Sequence, residues 1–333
     1  MPIMTKADVK IYDPRTRVNF RERTSQYTGI FNAGSGGTIR LASESKGGDF
    51  DYQAFWNQPS SPVRRRDPNS LAAVAAQKMT QNERVGVKLN RGFGPVATTF
   101  DALRKIEESI GENEDPTDVI MTMLGDYAAD IVTQEKLNLG ISALAAALRN
   151  TASLVHDASA GANGGADADN LNTAFYKRGD KQQEIVGLIA HSNVARKLTS
   201  GQITGNVTGI ASMVMQGGTP ATLNRPMFIT DSPGLIIPGA TPKYITLCLV
   251  KDALVLTDTE DEIFYGRPVT GQENLYIEAQ GEYAYNLDIL GHSWNVAGGG
   301  SNPTDAAIGT GTNWTNVLTD IVKNGPGIAM ITQ

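Results

Sequence analysis

The sequence of 333 residues has one cysteine, three histidines and no apolar run that approaches the roughly 20 residues needed to cross a bilayer. A single cysteine excludes an internal disulfide, and the apolar segment around Cys248, YITLCLV, predicts a buried and unreactive thiol. The first 17 residues have no apolar core of a secretory signal. We therefore expect a protein made in a reducing cytoplasm, without membrane contact.

Groups that could support catalysis are also few. The histidines, His156, His191 and His292, are not spaced as ligands on one helix or hairpin, so we predict no metal site and no cofactor. Ser192 follows His191 at a predicted strand-to-helix turn, but the flanking glycines of a nucleophile elbow are absent. We interpret Ser192 as a helix N-cap and do not expect an enzyme. The rival hypothesis is a cytoplasmic hydrolase that uses His191 and Ser192.

Charge is divided unevenly along the chain. The first 100 residues hold 15 Lys and Arg against 8 Asp and Glu, a net charge of +7, whereas the other 233 hold 14 and 27, a net charge of −13. This asymmetry predicts that the basic segment meets an acidic partner, either nucleic acid or the acidic remainder of a neighbouring copy. The alternative is a chance distribution of solvated charges.

The first 40 residues lack the pattern of a core element. Basic and polar residues alternate with single apolar ones, and the stretch ends in FNAGSGG, which favours flexibility. We predict an extended N-terminal arm over residues 1–40. Its arginines are candidates for the inner surface of an assembly or for contact with DNA: Arg15, Arg17, Arg21 and Arg23.

Residues 41–69 are polar and rich in Gly, Ser and Pro, yet they include four aromatic residues: Phe50, Tyr52, Phe55 and Trp56. Loops of this length are uncommon unless they have a function, and projecting aromatic side chains need a surface to cover them. We predict a protruding arm that packs on another subunit. The cluster Arg64, Arg65 and Arg66 could bind phosphate or be solvated, but we favour pairing with carboxylates of that neighbour.

A long helix is the clearest element. Asp115 suits an N-cap, Pro116 suits the first helical position, and apolar residues recur near the helical period until Arg149. About 34 residues at ~1.5 Å each form a rod of roughly 50 Å. Gly140 lies inside it and is a candidate for a bend.

The other segments predict shorter elements. Residues 70–83 favour a helix, and 85–100 favour a strand, a turn and a strand. Residues 156–170 predict a mobile loop, and alternation over 275–296 predicts a long strand with Gly281 as the candidate for a bulge. Further strands are predicted at 184–190, 225–234, 243–250 and 252–258, with a helix after His191. The pattern is that of a mixed α+β protein.

Three segments resemble those of tailed-bacteriophage major capsid proteins with the Hong Kong 97-like fold. SLAAVAAQKMTQNERVGVKLNRGFGPVATTFDAL (70–103), followed by the long helix, is similar to a β-hairpin extension, the E-loop, and a spine helix. VGLIAHSNVARKL (186–198) and RPMFITDSPG (225–234) resemble a strand-His-Ser-helix element and a later strand ending in Thr-Asp-Ser. ILGHSWNVAGGGSNPTDAAIGTGTNWTNV (289–317) resembles a C-terminal pattern of one branch.

The resemblance implies a division of the chain into four parts. They are an N-terminal arm (1–40), an E-loop hairpin (41–88), a peripheral domain (89–164 and 276–333, with the spine helix at about 116–149) and an axial domain (165–275). Two features of the family's archetype have no counterpart here. A long helical N-terminal extension is absent, which leaves a separate scaffold or prior cleavage open. No motif supports Lys46 or Lys78 as a crosslinking lysine.

The resemblance also implies a function. Copies would assemble into an icosahedral shell of hexamers and pentamers around packaged double-stranded DNA, held by non-specific contacts. The protein would be part of the virion and would be assembled in the host cytoplasm. A portal protein, and scaffold or decoration proteins, are the other expected partners. The rival with the same fold is the shell protein of a bacterial nanocompartment, which would hold enzymes instead of DNA.

Overall fold

Helices and strands alternate along the chain in the computed structural model, which describes residues 14–44, 48–57, 63–76, 78–102, 105, 116–199, 207–210, 213–216, 222–260 and 262–333. The helices are α1 (Pro14–Gly34), α2 (Pro116–Asn150), α3 (Ala168–Tyr176), α4 (Ser192–Thr199), α5 (Val296–Gly299), α6 (Asp305–Ile308) and α7 (Ile321–Asn324). The strands are β1 (Ile39–Ser43), β2 (Phe50–Asn57), β3 (Thr80–Thr99), β4 (Val155–Asp157), β5 (Ile185–Ala190), β6 (Val207–Ile210), β7 (Met213–Gln216), β8 (Met227–Ile229), β9 (Ile236–Ile237), β10 (Lys243–Val250), β11 (Leu254–Asp258), β12 (Ile263–Val269), β13 (Tyr276–Ile289), β14 (His292–Trp294), β15 (Trp314–Asn316) and β16 (Gly327–Thr332).

The described strands form two large sheets and one small one. The six-stranded sheet has the order β1-β11-β13-β3-β2, with β12 also paired to β13. The eight-stranded sheet has the order β4-β16-β10-β5-β8-β7-β6, with β9 also paired to β10, and β14 pairs with β15. Most neighbours are antiparallel; β1 with β11, β5 with β8 and β4 with β16 are parallel. The predicted α+β class is confirmed.

Helix α2 confirms the predicted long helix, and Asp115, its predicted N-cap, lies outside the described residues. Its second half is buried on nearly every side, with Leu137, Ile141 and Leu144 fully buried, because it contacts strands of both large sheets. Gly140 lies where the helix meets β11: a Cβ there would be 2.8 Å from a methyl group of Leu254. Close packing against this strand therefore requires the glycine.

Helix α1 corrects the prediction of an extended arm for residues 14–34. Phe20 and Phe31 are buried, and their rings contact Phe264 (centroids 4.9 Å apart) and Phe228 (5.1 Å). Single apolar residues among polar ones thus form a narrow stripe that packs on distant parts of the chain. The glycines of FNAGSGG close the helix in a turn with positive φ at Gly36 and Gly37. Residues 1–13 lie outside the described residues.

Strand β3 corrects two further predictions. Residues 80–99 form one continuous strand, where a helix over 70–83 and a turn within 85–100 were expected. No helix forms in the described residues between 70 and 79, because helical propensity alone rarely stabilises a short segment that has no packing partner. The expected turn is absent because β13 pairs with β3 from Thr99 to Val87. The register shift between Ala279 and Gly281 confirms the predicted bulge.

The eight-stranded sheet is buried along its centre. All residues of β16 are buried, as are residues 245–250 of β10, and Cys248 is fully buried as predicted. Residues 156–170, predicted to be mobile, are tied to this sheet: β4 pairs with β16, and the Gln333 N–H donates to the Gly164 carbonyl (2.8 Å). These contacts hold residues 156–170 in place against the β4 edge of the sheet.

Residues 289–317, the C-terminal segment that resembles the capsid family, pack as one unit. Trp294 and Trp314 are both buried and meet edge to face, with centroids 4.9 Å apart. Their indole N–H groups donate to the carbonyls of Gly300 (3.0 Å) and Ile308 (2.9 Å). The two tryptophans therefore hold the glycine-rich turn and α6 together.

Candidate assembly surfaces

The projecting part of the six-stranded sheet is a hairpin, here called the hairpin arm (residues 50–57, 63–76 and 78–84). Its strands pair from Phe50 with Val87 to Asn57 with Thr80. Residues 85–89 of β3 are buried in the core, whereas Thr80–Glu83 are exposed. A strand of 20 residues spans about 65 Å at ~3.3 Å per residue. The hairpin arm therefore extends well beyond the core of its own chain.

The four predicted contact aromatics divide between two faces of the hairpin arm. Tyr52 and Trp56 are 60% and 63% exposed and lie on one face, because side chains alternate along a strand. Phe55 is half-buried on the other face, and Phe50 packs against the main core. Beyond the strands, Val63, Leu71, Val74 and Met79 are exposed as well. An apolar surface of this extent marks an interaction site.

The arginine cluster lies at the far end of the hairpin arm. Arg64, Arg65 and Arg66 are exposed, and none forms an ion pair with a residue that the structure describes. The segment after them is held by Asp67, whose carboxylate accepts the Asn69 N–H (3.0 Å) and whose carbonyl accepts the Ser70 N–H (3.3 Å). Three free guanidinium groups on an ordered turn can receive carboxylates or phosphates.

The predicted N-terminal arginines all lie on α1. The side chains of Arg15 and Arg17 lie outside the described residues. Arg21 pairs with Glu262 (3.4 Å), and Arg23 with Asp130 (3.2 Å) while its guanidinium donates to the Tyr27 hydroxyl. Two of the four are thus engaged within the chain, and contact with DNA stays a prediction.

At its opposite end, β3 pairs with β13, which also pairs with β12, and the three strands form a ribbon, here called the distal ribbon (residues 90–99, 263–269 and 276–284). One face packs on the helices: Phe93 is buried with Phe20, Ala128, Ala129 and Val132, and Phe264 and Tyr283 lie against them. On the other face, Ile263 and Tyr265 are 58% and 60% exposed. Sequence reasoning predicted β13 as a long strand but did not predict the exposed apolar residues on this face of the ribbon.

A partly buried polar network, which sequence reasoning missed, joins α2 to the six-stranded sheet. The Glu135 carboxylate accepts hydrogen bonds from Tyr283 (3.1 Å) and Tyr285 (3.2 Å), and Arg91 lies 3.4 Å away. Burial raises the pKa of Glu135 and the pKa of both tyrosines. The signal in the sequence is the charged pair Glu135 and Lys136, which directly precedes the apolar second half of the helix.

The neighbourhood of His191 does not support the hydrolase hypothesis. Its Nδ1 accepts the Asn193 N–H (3.2 Å), and its Nε2 faces Asp231 (3.4 Å). Neither ring nitrogen is left to take a proton from Ser192, which hydrogen-bonds Asp231 and so lowers the pKa of that carboxyl. The N-cap prediction for Ser192 is wrong, because α4 begins at this residue and His191 precedes it as the cap.

Among the residues that the structure describes, no group of three or more His, Cys, Asp or Glu could hold a metal ion. Within the same ranges, no helix is both long and apolar enough to cross a membrane.

Known proteins were compared with the chain by family and by structure. The family model described as Gp13-like, major capsid protein 13-like, matches residues 8–329. No curated protein sequence matches. Among solved structures, a chain of the cyanophage Pam1 capsid asymmetric unit has a TM-score of 0.51 and 10% identity, covering 99% of this chain and 96% of that one. A chain of Mycobacterium phage Adephagia has a TM-score of 0.50 and 7% identity, covering 88% of this chain and 87% of that one.

These two likenesses bear on the fold, and the predicted Hong Kong 97-like capsid fold is confirmed. The family match covers nearly the whole chain, including both ends of β3, the long helix and the paired tryptophans. Members of this family are major capsid proteins, so the place of this protein is the virion. The chain therefore belongs to the major capsid protein 13-like family and is a structural protein of a bacteriophage capsid.

Proposed function

We propose that copies of this capsid protein assemble into an icosahedral shell of hexamers and pentamers that encloses packaged double-stranded DNA. The observation that supports self-assembly most directly is the hairpin arm. Tyr52 and Trp56 stay exposed on a hairpin that no described part of the same chain covers. Because exposed aromatic surface is costly in water, a second copy is the natural cover.

The four-part division of the chain is part of this proposal, with one boundary changed. Residues 165–275 contribute β5 to β10 to the eight-stranded sheet, as an axial domain would. Strands β11 and β12 pair with the six-stranded sheet, so we assign residues 254–269 to the peripheral part together with β13. Residues 41–88 correspond to the E-loop, and residues 1–40 to the N-terminal arm, of which 14–34 are helical.

Other contacts belong to the same proposal. Arg15 and Arg17 on α1 are the candidates for the inner, DNA-facing surface, because Arg21 and Arg23 are engaged with carboxylates. Contact with packaged DNA would be electrostatic and independent of base sequence. A portal protein and a scaffold or decoration protein complete the expected partners, with assembly in the host cytoplasm. We propose no catalytic role.

Electron microscopy of the purified full chain tests self-assembly. We expect pentamers, hexamers or closed shells at high protein concentration and moderate salt. A folded protein that stays monomeric across salt and concentration would refute the proposal. DNA that survives nuclease treatment inside particles from a phage lysate tests the contents separately, and particles that hold protein instead would refute that part.

A further inference from the structure

Arg91 is shared by two carboxylates where β3, α2 and α6 meet. Its Nε lies 3.4 Å from an oxygen of Glu135, and its Nη2 lies 2.5 Å from an oxygen of Asp305. The Asp305 side chain is 68% exposed, whereas the Glu135 side chain is 29% exposed. The closer contact belongs to the carboxylate that water already solvates, so the more buried carboxylate is the less well neutralised of the two.

The other charged groups around Glu135 do not compensate for this. Lys136 lies over the rings of Tyr283 and Tyr285, 5.4 Å and 5.6 Å from their centroids, but its Nζ contacts an oxygen of Asp258 (2.5 Å). Burial raises the pKa of both tyrosines, so they stay neutral and only donate hydrogen bonds. Among the described residues of this cluster, three carboxylates thus face two cations, and the fully ionised cluster has a net charge of −1.

Water can reach the cluster through a hollow beside α2. The hollow has a volume of about 390 Å³ and is lined by Glu135, Asp305 and Pro233, together with uncharged residues of α2 such as Gln134 and Asn138; no described cation lines it. An excess charge in a partly buried site is costly, whereas a neutral carboxyl group is not. A proton from the hollow would remove the excess charge at Glu135, and the carboxyl group could still accept hydrogen bonds from the tyrosines.

The contacts among Glu135, Arg91, Asp305, Tyr283 and Tyr285 are here called the carboxyl latch, and they join α2, β3, β13 and α6. We infer that the carboxyl latch is proton-sensitive and holds α2 to the six-stranded sheet more firmly when Glu135 is protonated. Loss of the Glu135 charge leaves Arg91 to Asp305 alone and removes the repulsion between the two carboxylates. The inference concerns the single subunit and goes beyond the proposed assembly, so either can fail without the other.

The direction of the pH dependence follows from the linkage of proton binding to folding. Burial raises the pKa of Glu135, and the charge of Asp305 adds to the rise, while Arg91 and the tyrosine hydrogen bonds oppose it. The unfolded chain binds this proton at about pH 4.3, and the folded chain binds it at a higher pH. The stability from Glu135 is therefore fully present below about pH 4.3 and is lost as pH rises through the folded pKa.

Glu135→Gln tests the carboxyl latch, because a glutamine stays neutral at every pH. The Tm of unassembled E135Q should exceed that of wild type by about 2 °C or more at pH 7.5, and the difference should shrink as pH is lowered to about 4.5. Groups that titrate in both proteins, His292 among them, cancel in this difference. Glu273→Gln, at an exposed position, is the matched control and should follow wild type at each pH.

Hydrogen exchange tests whether the carboxyl latch itself tightens. Protection of the β13 amides, after correction for the intrinsic exchange rate, should be about threefold higher at pH 5 than at pH 7.5 in wild type but not in E135Q. A Tm of E135Q below that of wild type at pH 7.5 would show that Glu135 stabilises the fold as an anion, and would overturn the inference. A difference in Tm that stays constant with pH, or wild-type protection that does not change, would overturn it as well.

Asp305→Asn is a second test, which leaves Glu135 in place and applies even if E135Q does not fold. Without the competing carboxylate, Arg91 pairs with Glu135 alone, so the ionised form of Glu135 is better tolerated. Protection of β13 should then depend less on pH in D305N than in wild type. An equal pH dependence in the two proteins would contradict the sharing of Arg91 and overturn the inference.

Discussion

The two large sheets of this capsid protein end in different ways. In the eight-stranded sheet, β10 and β16 lie side by side and are buried along almost their whole length. In the six-stranded sheet, β3 is buried in its middle, at residues 85–89, and both of its ends are largely exposed. The centre of the first sheet is covered by its own chain, whereas the second sheet has exposed ends, which we propose another copy covers.

Composition explains the difference. Strand β16 reads GIAMIT and the buried part of β10 reads ITLCLV, largely apolar on both faces, as expected for strands covered on two sides. Strand β3 begins with TQNE, which contains no apolar side chain that a core could bury. Stability of the subunit and assembly of the shell are therefore encoded in separate strands, and single substitutions should separate them.

The largest effect on the subunit is expected in the eight-stranded sheet. Leu247→Ala removes a fully buried side chain of β10 and should lower the free energy of unfolding by about 3 kcal/mol, through lost burial and the cavity left behind. Leu71→Ala, on the exposed hairpin arm, is the matched control and should change it by less than about 0.5 kcal/mol. Urea denaturation of unassembled protein measures both, and equal losses would contradict the comparison.

A smaller effect on the subunit should follow a change of pH at His292, which lies on β14 beside the buried middle of β3. Burial lowers the pKa of His292, while its Nδ1 lies 3.3 Å from the Leu290 carbonyl. The unfolded chain takes up this proton near pH 6.5 and the folded chain resists it, so the stability is present above about pH 6.5 and is lost as pH falls below it. His292→Gln should therefore flatten the fall of Tm between pH 7.5 and 5.5. Parallel wild-type and variant curves would contradict the assignment.

The smallest effect on the subunit is expected at the tip of the hairpin arm. Trp56→Ala removes a side chain that is 63% exposed, so the free energy of unfolding of unassembled protein should change by less than about 0.5 kcal/mol. The yield of particles should nevertheless fall, because the aromatic surface that a neighbour covers is lost. Tyr176→Ala, equally exposed on α3, is the control. Unchanged assembly in Trp56→Ala would break the proposed division between the two sheets.

Sequence patterns located elements whose signal is local and strong. The long helix has Pro116 at its start and a sustained apolar pattern, and β5, β10 and β13 are runs of strand-forming residues. The bulge at Gly281 was predicted because a glycine interrupted a long alternation. The exposed aromatic residues of the hairpin arm were recognised because they stand in a polar, proline-rich segment.

Patterns failed where the deciding partner is distant in sequence. Helix α1 was missed because its apolar stripe is narrow, and the residues that bury Phe20 and Phe31 are Phe264 and Phe228. Strand β3 was divided by a turn predicted within residues 85–100, although pairing with β13 runs through this region. The distal ribbon could not be recognised as a surface before its two faces were known.

The sequence by itself determined the α+β class, the long helix, the inert thiol and the opposition between a basic beginning and an acidic remainder, because these depend on composition and local periodicity. Only the tertiary structure decided where the charges lie. By carrying β3 through the core, it places the hairpin arm and the distal ribbon at opposite ends of one strand. Strand pairing between distant segments sets that arrangement, and no local pattern contains it.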